Sequence, residues 1–141
     1  MTPEQISLVK ESFAKVAPIS EKAAALFYGR LFEIAPEVRP LFRGDMTEQG
    51  RKLMATLSAV VNALANLEAV LPAASTLAKR HVAYGVTADH YVPVGAALVW
   101  TLEQGLGADW TPQVAAAWAA AYSTLSNYMI GEAYGPRAVA G

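Results

Sequence analysis

Lys79-Arg80-His81-Val82-Ala83-Tyr84-Gly85-Val86 is the stretch on which the reading of this chain turns. Its histidine follows a helical run that starts at Leu71-Pro72, and Gly85 stands where a helix C-terminus favours glycine. The imidazole therefore falls in the last turn of a helix, behind two cations. The other histidine, His90, lies nine residues on and beyond Gly85, so the two cannot share a helical face. The positions three residues before them hold Ala78 and Thr87, which excludes Glu-x-x-His carboxylate sites. A His-x-x-x-His zinc pair is missing as well. With no cysteine, disulfides, thiolate nucleophiles, Cys-ligated zinc and iron–sulfur clusters are all excluded. A metal held by either histidine would take most of its coordination from a group that the protein does not supply.

Outward from that stretch, every segment reads as helix. Thr2-Pro3-Glu4-Gln5 supplies a cap, a proline at the first helical position and a glutamine three residues past the cap. Ile6, Val9, Phe13 and Val16 follow at helical spacing. Pro18-Ile19-Ser20 breaks that helix and starts the next, whose apolar face is Ala24, Phe27, Tyr28, Leu31 and Ile34. Pro36 opens a short segment to Phe42, and Thr47 is the expected cap of a long helix carrying Leu53, Leu57, Val60, Val61 and Leu64. Asp89 is the expected cap of a helix from His90 to Leu106, closed by Gly107. Thr111-Pro112 starts the last helix, expected to end near Gly131. No segment alternates long enough for a strand. The fold class is all-α, with six to eight helices of unequal length in one domain over residues 1–133, and residues 134–141 form a flexible tail.

At 141 residues, 54% hydrophobic and 16% charged, the chain can bury a core or a cofactor pocket. Eleven Lys and Arg against twelve Asp and Glu give no electrostatic footprint for nucleic acid or an anionic membrane. The start carries no signal peptide, and no apolar run is long enough to span a bilayer, so a cytoplasmic protein is expected.

One imidazole suits an iron that has four further positions filled by a porphyrin. Taken alone, a single histidine at a helix end is ordinary surface or core. The neighbouring stretches give it context. Phe27-Tyr28-Gly29-Arg30-Leu31-Phe32, then Pro36-Glu37-Val38-Arg39-Pro40-Leu41-Phe42, resemble the second helix and following corner of the bacterial haemoglobins. Gln49-Gly50-Arg51-Lys52-Leu53-Met54 is similar to their middle helix. The run from Lys79 to Val86, with His90-Tyr91 and Val94-Gly95 beyond, is similar to their proximal segment, and Ala117-Trp118-Ala119-Ala120-Ala121-Tyr122 to their last helix. The resemblance runs from Ile6 to Met129 in consistent order and spacing, to single-domain haemoglobins and the globin domain of flavohaemoglobins.

It implies a globin fold around a haem b pocket, with His81 as the iron ligand. Phe42 would pack on the porphyrin face and Leu53 would be an apolar distal residue. Gln49 and Tyr28 would donate hydrogen bonds to bound dioxygen; the i, i+4 spacing of Gln49 and Leu53 puts both on one helical face. Lys79 and Arg80 would meet the propionates, and His90 would be a solvated residue in the first turn of its helix. On the proximal side the family pairs the histidine with a tyrosine and a glutamate, a carboxylate that raises electron density on the imidazole. Tyr91 matches the tyrosine. Ungapped counting puts Ala133 at the glutamate's place and Glu132 one residue early, about 100° around the helix. Glu132 is the candidate, and a strong peroxidase-like activation is not expected.

Two functions of different class follow. One is reversible binding of dioxygen, with NO and CO as further ligands, by a monomer or homodimer. The other is nitric oxide dioxygenase, with weak peroxidase activity as a side reaction. Dioxygenation needs re-reduction at each turnover, and a separate flavin reductase would be the partner, since 141 residues hold no reductase domain. Gas sensing and a cofactor-free helical interaction module are the remaining readings. Bilin-binding relatives are disfavoured by the lack of cysteine.

Overall fold

Thr2 opens the first helix as its sequence requires. Its hydroxyl accepts from Gln5 N at 3.1 Å while Thr2 N donates to Gln5 Oε1 at 3.0 Å, satisfying two orphan amides reciprocally. The computed structural model describes residues 2–42, 44–83 and 87–134. Six α-helices are found there: α1 Pro3–Val16, α2 Ser20–Ile34, α3 Met46–Asn62, α4 Leu67–Ala83, α5 Tyr91–Leu106 and α6 Pro112–Tyr134. Short 3₁₀ segments join them, among them Pro36–Leu41 and Ala88–His90. There is no strand among the described residues, so the all-α expectation holds. The expected helix stop at Gly85 and residues 135–141 of the expected tail lie outside the described residues.

Several boundaries move. Asp45, in extended backbone, caps α3 by accepting from Thr47 N at 2.9 Å, so Thr47 is inside the helix rather than its cap. The fourth helix begins at Leu67 and carries Pro72 inside it, where Leu71-Pro72 had read as a start. The missing amide at Pro72 is tolerated because α4 is held along α6. Thr87, not Asp89, precedes the turn into α5, which begins at Tyr91. Gly107 closes α5 at φ 54, a conformation that glycine adopts without a Cβ penalty. Ile34, read as part of the core face of α2, is 40% exposed.

The helices pack α2 on α5, α4 on α6, and α1 on α6. In the α1–α6 contact Trp118 Nε1 donates to the buried Ser12 Oγ at 2.8 Å, and Ser12 in turn donates to Leu8 O. The indole is thereby buried without stranding its polar edge. Two apolar clusters result. The larger gathers Val9, Val16, Leu31, Val38, Leu102 and Trp118; the smaller holds Ala74, Ala78, Tyr91 and Met129 where α4, α5 and α6 meet.

Candidate functional site

Between the two clusters lies a cavity of about 190 Å³. Phe27, Tyr28 and Leu31 of α2 form one wall, with Val38, Leu41 and Phe42 from the corner after it. His81 of α4, Tyr91 and Val94 of α5, and Tyr122, Leu125, Ser126 and Met129 of α6 close the rest, together with His90. A larger groove of about 580 Å³ runs between α2 and α3 past Ala24, Tyr28, Met46, Gly50 and Met54. It contains no histidine, so the chemistry belongs to the smaller space. Tyr28 borders both.

His81 is half-buried, and its Nδ1 lies 2.7 Å from Leu77 O, one helical turn back. A carbonyl oxygen can only accept, so Nδ1 carries the proton and Nε2 is the lone-pair nitrogen of the neutral ring. That is the tautomer for metal ligation through Nε2. No cluster of three or more His, Cys, Asp or Glu among the described residues could hold a metal ion by itself.

The structure brings His81, Tyr28, Phe42 and Tyr91 to one cavity. Phe42 meets Tyr28 and Phe32 edge-on, with ring centroids 5.3 and 5.4 Å apart. Gln49 and Leu53 are part-buried on α3, and neither is among the residues lining the cavity. The Tyr28 hydroxyl donates to the main-chain carbonyl of Gln49 at 3.3 Å, so the two expected donors touch each other through hydroxyl and backbone. Lys79 and Arg80 are exposed and are among the lining residues of neither space, because the helical turn that points His81 inward points its predecessors out.

Two assignments need correction. Glu132 does not reach the imidazole. Its carboxylate accepts from Ser75 Oγ at 2.8 Å and Tyr128 OH at 3.3 Å on the exposed side of α6, and the group that accepts from His81 Nδ1 is the Leu77 carbonyl. The one-residue offset has its full angular effect. His90 is not simply solvated: it is half-buried, lines the cavity, and its Nδ1 accepts from Thr87 N at 3.0 Å. The signal was present as a threonine three residues ahead, the spacing of a capping box.

The sequence also missed how Tyr122 is placed. Its hydroxyl donates to Tyr91 O, and its ring lies on Gly95, where a Cβ would come within 2.6 Å. Burial, then the neighbouring Tyr91, pushes the Tyr122 phenol well above its ordinary range. Burial alone pushes that of Tyr28 up to about 12. Both phenols then keep their protons in the folded chain after the unfolded chain has lost them above about pH 10. Stability is full below that pH and falls above it, by up to about 1.4 kcal/mol per pH unit for Tyr122 and by less for the partly exposed Tyr28. Urea midpoints taken from pH 9 to 12 are expected to decline from pH 10, and Tyr122→Phe to flatten the decline. An unchanged slope in the variant would refute this origin.

No helix among the described residues is long and apolar enough to cross a membrane. The cavity, the helix order and the proximal turn can now be set beside known proteins. Flavohemoproteins of Bordetella parapertussis and Rhodopirellula baltica are 32% and 30% identical over 93% of this chain. The chain spans about a third of the length of these curated relatives, 33% in each case. An engineered carbene transferase from Rhodothermus marinus superposes with a TM-score of 0.87 at 28% identity, covering 99% of this chain and 98% of that one. A bacterial globin from Campylobacter jejuni gives 0.78, also at 28% identity, covering 94% and 96%. The family model described as Globin matches residues 25–129, three quarters of the chain and every wall of the cavity, and the chain belongs to the globin family.

Proposed function

We propose that this chain binds haem b in the cavity between α2, α4, α5 and α6, and that its function is the reversible binding of dioxygen, with NO and CO as further ligands. The observation that carries the reading is the His81 tautomer: an imidazole locked with Nε2 as its lone-pair nitrogen, in a space walled by aromatic and aliphatic side chains. The donor set fits haem, which when bound supplies an iron with one position for an imidazole and one for a diatomic gas.

The residues divide the work. The Leu77 carbonyl orients the imidazole, and as a neutral acceptor it raises ring basicity less than a carboxylate would. This favours holding a gas over activating peroxide. Leu31, Phe42, Val94 and Met129 exclude water. The 3.3 Å bond from Tyr28 to Gln49 O is long for O–H···O, so the hydroxyl gives it up readily to a better acceptor.

Absorption spectra of the haemin-loaded protein, ferric, reduced, and reduced under carbon monoxide, test the reading. A Soret band that shifts at each step is expected; no band would overturn it. Tyr28→Phe with Gln49→Leu is expected to speed dioxygen loss about ten-fold or more, each donor contributing about 1 kcal/mol. Stopped-flow rates equal to wild type would remove these residues from the distal role.

The flavohemoprotein relatives and the Rhodothermus neighbour favour a second reading, nitric oxide dioxygenation. NO and O₂ combine with one electron to give nitrate, the electron coming from a separate flavin reductase. Stoichiometric nitrate from NO pulses, with NADH and such a reductase, would establish it.

A further inference from the structure

Four of the polar side chains that line the cavity direct their protons alike. The Tyr28 hydroxyl donates to Gln49 O, that of Tyr122 to Tyr91 O, and that of Ser126 to Ser123 O. His81 Nδ1 donates to Leu77 O. Each of these protons is directed at backbone. His90 reverses the pattern. It accepts, taking the Thr87 amide proton on Nδ1 at 3.0 Å, and an N–H can be received only by an unprotonated ring nitrogen. The neutral ring therefore carries its proton on Nε2, which has no hydrogen-bond partner among the described residues. A half-buried, oriented N–H donor on the cavity wall suits a carboxylate. Haem is apolar except along one edge, where it carries two.

We propose that His90 Nε2–H donates to a haem carboxylate. The inference rests on the haem reading above. Thr87 is the positioning group: its amide fixes both the tautomer and the direction of the ring, and His90 retains the cofactor.

The test is haemin transfer from the ferric holoprotein to excess apomyoglobin, followed in the Soret band. Wild type, His90→Leu and His90→Glu are each loaded with protohaemin or with its dimethyl ester, which has no carboxylates. Glutamate keeps an acceptor for Thr87 N and so preserves the turn, yet places an anion where the donor was. Both variants are expected to release protohaemin about ten-fold or more faster than wild type. With the ester, all three proteins are expected to release at rates within about two-fold. Equal acceleration for both cofactors would make His90 a packing and capping residue only, and unchanged rates would remove it from the site; either overturns the proposal. Should His90→Leu fail to fold, the His90→Glu comparison decides alone. Wild type taking up no haemin at all is a different failure, that of the haem reading, and it is seen before any variant is compared.

Discussion

His81→Ala is expected to take up no haemin that survives gel filtration, leaving no Soret band, while its far-ultraviolet circular dichroism stays that of wild type. The two halves of the expectation have separate causes. The ring's hydrogen bond runs to Leu77 O in the same helix, an interior carbonyl that the i, i+4 pattern of α4 already pairs with main chain, so its removal breaks no contact between helices. Alanine is moreover the best helix former. What disappears is the one ring nitrogen in the cavity whose neutral tautomer presents a lone pair, since His90 uses its own lone pair on Thr87 N. The space left by the imidazole also provides a control: free imidazole added with haemin should restore the band in the variant. A variant that kept wild-type haem content without imidazole would end the assignment of His81.

Gly95→Val is expected to destabilise the chain by about 3 kcal/mol, the sum of overpacking and a strained or lost buried hydrogen bond. A Cβ at this position would lie 2.6, 3.0 and 3.1 Å from three atoms of the Tyr122 ring. A flexible side chain would yield, but this ring is anchored at its far end by the bond to Tyr91 O. To make room, Tyr122 must release that carbonyl, and both tyrosines belong to the cavity wall. Loss of stability and weaker haemin retention should therefore appear together. Combining Gly95→Val with Tyr122→Ala should recover part of the loss, as coupled neighbours do. A denaturation midpoint for Gly95→Val that moves by less than the equivalent of about 0.5 kcal/mol would show that the ring gives way freely.

The fold was legible because helix signals act over three or four residues. Thr2, Gly107 and Thr111-Pro112 mark ends in the sequence and do so in the structure. Where two signals compete, local reading fails. Asp45 and Thr47 can both cap α3, and the extended backbone at Asp45 decides between them. Pro72 reads as a helix start until packing of α4 along α6 is known. In the site, Tyr28, Phe42, His81 and Tyr91 were visible as residues and are gathered by the fold. His90 was not, since the direction of its ring depends on an amide proton three residues back. The absence of Glu132 from the cavity follows from angular arithmetic, and its partner Tyr128 is one turn back, but its other partner Ser75 lies 57 positions away, beyond any local reading.

The bond between His81 and Leu77 spans a single turn of α4 and involves no other helix. Its formation is thus an event of helix winding, on the submicrosecond scale of that process, and needs only the turn that follows Pro72. A partly folded chain with only α4 wound would already hold its imidazole in the metal-binding tautomer. The tautomer is thus settled by one turn of chain, and the packing of α4 against α6 adds the walls without having to choose the proton's place.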